Sequence, residues 1–228
     1  MRYISSTTDD GICGRQFVLG DIPGTLWTPA GGGDGPLILI GHGGRQHKAA
    51  SAVVAGAHRF VTGLGATVAA IDAPGHGDRP PITPPWHGRR PSLPEVVAFN
   101  SALAALAAPD WQAVIDALTD GPVGYWGTSL GAGIGIPLVA AEPRIGAAVL
   151  GLAAGPLDAA AEVMVPVEFL LQWHDELVPR EQALALFDAL GSAAKTLHAN
   201  PGGHGEVPAF EHDSSVRFFA RHLGDPRV

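Results

Sequence analysis

Cysteine occurs once, at position 13, so an internal disulfide and any cysteine-based metal cluster are excluded. Cys13 sits between Gly11 and Gly14 with no base close by in sequence, which argues against a thiol nucleophile. Lysine appears only at positions 48 and 195, the arginines are scattered, and the formal net charge is −8. No basic patch for nucleic acid can be assembled from that distribution. Apolar runs are all shorter than the roughly 20 residues a bilayer span requires. Residues 1–11 are polar and lack the apolar core of a signal peptide, so the expected location is cytoplasmic. The glycine-rich stretch 31–35 lacks the lysine and the serine or threonine of a phosphate loop and leads into a strand, so it reads as a turn. Histidine is better supplied, with ten residues, but none of their spacings fits a zinc motif. Neither a metal nor a cofactor is expected.

What the chain does have is apolar substance, 46% of its residues, in runs that recur along its whole length. That suffices for one domain over 1–228. Short β-type runs lie at 16–20, 24–28, 36–40, 66–71, 122–126, 145–152, 166–171 and 194–199. Helical patterns fall at 49–64, 93–107, 110–118 with Asp110 as N-cap, 132–141, 180–190 and 208–222. The first two strands read as a hairpin at a sheet edge. The alternation after them predicts an α/β architecture: a mostly parallel sheet of eight strands with helices on both faces. The interval 153–165 is too short for a helical cap domain. An excursion over 79–95 carries six prolines and Trp86; it is either a substrate wall or partial lid, or a loop whose tryptophan tucks back onto the core.

The stretch Gly127-Thr128-Ser129-Leu130-Gly131 joins an apolar strand to a helix-like run. A serine at the apex of so sharp a turn needs small neighbours on both sides. With this glycine and serine content, chance supplies about 0.17 such pentapeptides per chain, so context has to decide. The context is favourable. Asp175 follows the strand at 166–171 and His204 follows the strand at 194–199. In a parallel sheet the carboxyl ends share one rim, so Ser129, Asp175 and His204 can converge. Serine needs a base to take its proton, histidine supplies one near neutral pH, and a carboxylate fixes the imidazole tautomer. The backbone N–H of Leu130, with that of Gly44 or Arg45 in the loop after the strand at 36–40, would hold a developing oxyanion. Glu176 and Asp158 are the competing acids. His42 reads as a loop anchor, Asp72 and His76 as organisers of the turn after 66–71, and His198 and His212 as packing or surface residues. Trp27, Trp86, Phe99, Trp126 and Trp173 are candidate pocket walls.

The order nucleophile, acid, histidine with the Gly-x-Ser-x-Gly elbow resembles the α/β-hydrolase fold family over nearly the whole chain. The His42-Gly43-Gly44 segment looks like that family's oxyanion loop, 72–77 like its turn after the next strand, 175–179 like its acid loop, and Gly203-His204 like its histidine loop. The compact layout is most similar to small, cap-less carboxylesterases and dienelactone-hydrolase-like members. Position 129 departs from dienelactone hydrolases proper, which use cysteine, and from haloalkane dehalogenases, which use aspartate. The resemblance implies a serine hydrolase of a small carboxylic ester or thioester, with peptidase, C–C hydrolase, acyltransferase and non-catalytic binding protein as rivals. The partner implied is a small-molecule substrate; the oligomeric state is silent.

Overall fold

The computed structural model describes residues 1–224. In chain order the elements are β1 (Arg2–Asp9), β2 (Ile12–Leu19), β3 (Ile22–Pro29), β4 (Leu37–Gly41), α1 (Ser51–Leu64), β5 (Thr67–Ile71), α2 (Leu93–Leu118), β6 (Val123–Thr128), α3 (Leu130–Ala141), β7 (Ile145–Gly151), α4 (Leu157–Ala161), β8 (Val167–Gln172), α5 (Arg180–Ala189), β9 (Lys195–Asn200) and α6 (Ala209–Leu223). The strands form one sheet in the order β1-β2-β3-β5-β4-β6-β7-β8-β9. From β5 to β9 every pairing is parallel, while β1, β2 and β3 form an antiparallel meander that joins β5 through β3.

Strands such as β4 (LILIG) and β8 (VEFLLQ) are buried at every position, as a sheet covered on both faces requires. One apolar layer, with Leu103, Trp111, Ile134 and Leu186, packs α2, α3 and α5 on one face. The other, with Val53, Phe60, Phe219 and Leu223, packs α1 and α6 on the opposite face. Strand order reverses at β4, which lies between β5 and β6. At such a switch the loops leaving adjacent strands part company and open a crevice at the carboxyl ends. Between β7 and β8 the chain inserts only the five-residue α4, so no helical cap overlies that crevice. Among the described residues no helix is long and apolar enough to cross a membrane.

The structure differs from the sequence reading at three places. The expected edge hairpin is a three-stranded meander whose β3 lies inside the sheet. The additional strand β1 (RYISSTTD) is exposed at all eight positions, so it carries no apolar alternation to reveal it. The helices expected at 93–107 and 110–118 are one helix, α2, with Pro109 inside it. A proline in a helix interior costs about 3 kcal/mol. Here a single face carrying Leu103, Ala107, Trp111, Val114 and Ile115 is buried across the break, which outweighs that cost. Asp110 is consequently no N-cap; its carboxylate pairs with Arg79 of the excursion at 3.0 Å.

Candidate active site

Ser129 stands between β6 and α3 with φ 56° and ψ −120°, a conformation that non-glycine residues adopt only under constraint. The constraint is visible on both sides. A Cβ on Gly131 would run into the carbonyl oxygen of Gly41, and one on Gly127 would lie 2.7 Å from the carbonyl oxygen of Gly131. Both obstacles are backbone, so only glycine lets α3 close onto β6 and β4. The Ser129 N–H donates to the Gly151 carbonyl at 2.9 Å, and the Ser129 carbonyl accepts from the Gly133 N–H at 3.0 Å. Beneath the turn, the fully buried Tyr125 donates its hydroxyl to the Gly131 carbonyl at 2.7 Å. Burial pushes the Tyr125 pKa up, so the phenol stays a donor. Sequence reading missed this residue, whose one signal was a hydroxyl-bearing side chain in an otherwise apolar strand leading to the elbow.

The loops after β8 and β9 bring their side chains to this serine. His204 Nε2 lies 2.9 Å from Ser129 Oγ, and His204 Nδ1 lies 2.7 Å from Asp175 Oδ2. The other oxygen of Asp175 accepts the N–H groups of Leu177 and Val178, each at 2.8 Å. Burial alone would raise the Asp175 pKa, but the His204 ring and these two N–H donors outweigh it and hold the carboxyl below its usual range. An ionised Asp175 beside Nδ1 places the ring proton there and leaves the Nε2 lone pair facing the serine hydroxyl.

Glu176, the adjacent acid, faces the backbone: its carboxylate accepts the His204 N–H at 3.0 Å. Glu206 accepts the Gly203 N–H at 2.7 Å, and Gln172 donates to the Gly203 carbonyl at 3.3 Å. These three side chains seat the His204 loop, and nothing in their sequence spacing announced them. Asp158 lies exposed in α4, His198 pairs with Glu211 at 2.8 Å, and His212 stacks on Trp126.

Leu130 opens α3, and the first N–H groups of a helix have no partner inside it. In the loop after β4, Gly43 spends its N–H on Gln46 Oε1 at 3.0 Å. Among the described residues neither Gly44 nor Arg45 donates its N–H to another backbone group, and Arg45 has φ 61°. This loop is held from below. Buried His42 donates from Nδ1 to the Gly43 carbonyl at 2.8 Å and accepts the Ala73 N–H at Nε2, 3.0 Å away. Burial depresses its pKa and keeps the ring neutral, as that pairing demands. His42 is therefore a brace, as the sequence suggested.

Asp72, fully buried, organises the adjoining turn. It accepts the Lys48 ammonium at 2.7 Å, the Lys48 N–H at 2.8 Å and the Asp78 N–H at 2.9 Å. Burial works to raise the Asp72 pKa, but these donors prevail and hold it below the usual value. Removing the cation leaves a buried carboxylate uncompensated, a loss of about 3–5 kcal/mol. Lys48→Met should accordingly lower the melting temperature by roughly 6–20 °C at neutral pH. Because the folded pKa of Asp72 is depressed, its stabilisation is present above the ordinary carboxylate range and lost as pH falls through the folded value. Thermal melts at descending pH should therefore bring wild type and Lys48→Met together.

Of the expected pocket walls, Trp86 and Phe99 pair edge to face, ring centroids 5.1 Å apart, joining the excursion to α2. Trp173 is 46% exposed two residues before Asp175, with the Arg180 guanidinium 4.2 Å above its ring. Trp27 and Trp126 are corrections: both are buried in the α1–α6 layer, Trp27 from β3 and Trp126 from β6, where Trp126 stacks on His212 on the opposite face from Tyr125. A cavity of about 390 Å³ lies elsewhere, lined by residues of β8, β9 and α6, and includes none of Ser129, Asp175 or His204. Beside it, Glu168, His198 and Glu211 are the group among the described residues whose ligand atoms could hold a metal ion, all within 4.8 Å of one another. Ser214 and Ser215 already bond Glu168, and Asn200 and His198 already bond Glu211.

No protein-family model matches the chain, and no curated protein matches it. Solved structures do. A cold-adapted esterase from an Arctic intertidal metagenomic library is 33% identical, with a TM-score of 0.79 over 98% of this chain and 100% of that one. TT1662 from Thermus thermophilus is 18% identical, with a TM-score of 0.76 over 99% and 100%. The Pyrococcus furiosus esterase Pf2001 is 15% identical, with a TM-score of 0.67 over 92% of each chain. The last two likenesses speak to the fold alone; the first extends to sequence.

Proposed function

The chain belongs to the α/β-hydrolase family, among its small esterases, and from that premise we propose that it hydrolyses small carboxylic esters through an acyl-enzyme on Ser129. The observation that carries the reading is one imidazole, His204, within hydrogen-bond distance of both the Ser129 hydroxyl and the Asp175 carboxylate. Ser129 Oγ attacks the ester carbonyl carbon as its proton passes to His204 Nε2. The carbonyl oxygen becomes an anion, held by the N–H of Leu130 and that of Gly44 or Arg45. Collapse of this intermediate breaks the bond to the alkoxy group, which leaves as the alcohol with the proton from Nε2. Water then attacks the acyl-serine, gives its proton to Nε2, and a second collapse releases the acid and restores the serine. Ester plus water becomes acid plus alcohol, and the route draws on no cofactor. The ionised Asp175 stabilises the imidazolium that forms twice in each turnover.

Ester is favoured over thioester by the related esterase at 33% identity. The test is a fluorophosphonate probe, followed by a panel of p-nitrophenyl esters and acyl thioesters of matched chain length. One equivalent of label should appear on Ser129, and esters should turn over faster than thioesters. Labelling elsewhere, or none, removes the reading in favour of a binding protein; faster thioester cleavage makes the chain a thioesterase.

A further inference from the structure

β1 is the outermost strand at one end of the sheet, all eight of its residues are exposed, and its tertiary contacts are chiefly with β2. Ordering a residue's backbone costs about 1–2 kcal/mol, and an outer strand with one neighbour and no packed face recovers little of it. Tyr3 is 46% and Ile4 56% exposed on this strand.

The turn into β2 fixes which backbone groups face outward. Asp10 and Gly11 both have positive φ, 45° and 75°, as in a type I′ hairpin. In such a hairpin the flanking residues, Asp9 and Ile12, exchange both backbone hydrogen bonds. The register is regular from Ser5 to Asp9, so Thr7 and Ser5 bond β2 likewise. Thr8 and Ser6 then turn their N–H and C=O groups to the open side. An open edge with outward amides is a template for another strand.

Charge selects which strand. Arg2 stands at one end of β1 and Asp9 and Asp10 at the other, and none of the three forms an ion pair among the described residues. We propose that the chain forms a two-fold dimer in which β1 pairs antiparallel with β1 of a second copy about an axis through Ser6. That register sets Ser6 against Ser6 and Thr8 against Ile4, and brings Arg2 of each copy, beyond the register shift, to the Asp9–Asp10 end of the other. The two end pairs offset, at the contact, the repulsion between two chains of net charge −8. The register shift between Tyr3 and Ser5 twists the far end of the edge. A two-fold contact also uses up the edge, so the assembly closes at two.

Light scattering after size exclusion at micromolar concentration should give a mass twice 23.4 kDa. Ser6→Pro removes an N–H that faces only outward, so it spares the β1–β2 ladder and should give monomer. Arg2→Glu should weaken the dimer at least tenfold, and added salt should weaken the wild-type dimer. Hydrogen exchange, which needs no variant, should show the Ser6 and Thr8 amides protected at high protein concentration and open on dilution. A monomeric wild type, or a dimer untouched by Ser6→Pro, overturns the proposal. A dimer lost in Ser6→Pro but indifferent to Arg2→Glu overturns the register about Ser6.

Discussion

Ser129→Ala should abolish hydrolysis of p-nitrophenyl acetate, with kcat reduced about 10⁶-fold and the far-ultraviolet spectrum unchanged. Without Oγ there is no acyl-enzyme, and what remains is water attacking an ester held near two N–H donors. The magnitude follows from the unit character of the site: His204 is aimed at Oγ 2.9 Å away and has no other nucleophile to serve. A companion variant separates chemistry from strain. Ser129 carries φ 56°, which costs a non-glycine residue about 1–3 kcal/mol. Ser129→Gly should be as inactive as the alanine variant yet melt at a higher temperature. Measurable turnover in both variants, after exclusion of contaminating esterase, would refute the serine mechanism.

Asp175→Asn should lower kcat by about 10⁴-fold while leaving the fold intact. The amide oxygen of asparagine can still accept the Leu177 and Val178 N–H groups, each now 2.8 Å from Oδ1. The amide NH₂ would then face His204 Nδ1 as a donor. It would stabilise the wrong tautomer, with the proton on Nε2 pointing at the serine. Glu176→Gln is the discriminating control. Its carboxylate holds the backbone N–H of His204 rather than the ring, so the effect should be far smaller and should appear without loss of the serine's reactivity toward a fluorophosphonate. Equal losses in the two variants would mean that the acid has been assigned to the wrong neighbour.

How much of this was legible follows from what each residue is for. Buried parallel strands declared themselves because both faces are apolar, as in 36–40 and 166–171. The elbow declared itself because two glycines must flank the serine to avoid backbone contacts at Gly41 and Gly131. Asp175 and His204 could be expected beside Ser129 because strand ends in a parallel sheet share a rim. Polar strand β1 could not be seen, since a ladder of backbone hydrogen bonds leaves no trace in side-chain pattern. Pro109 misled because its local penalty is decided by a buried face that only the tertiary structure supplies. Trp126 misled because an aromatic residue beside the elbow says nothing of which face it points to. Tyr125, Glu176, Glu206 and Gln172 act by hydrogen bonds to backbone groups across the fold, and such contacts have no spacing in sequence.

The contact of Gly131 with the Gly41 carbonyl has a practical consequence. Gly135 and Gly127 are similarly occupied, by the Tyr125 ring and by the Gly131 carbonyl. Helix α3 and the loop after β4 therefore behave as a welded joint with no slack for remodelling. Directed evolution toward bulkier or differently shaped substrates should leave that joint alone and spend its libraries on the periphery, at Trp86, Phe99, Trp173 and Arg180.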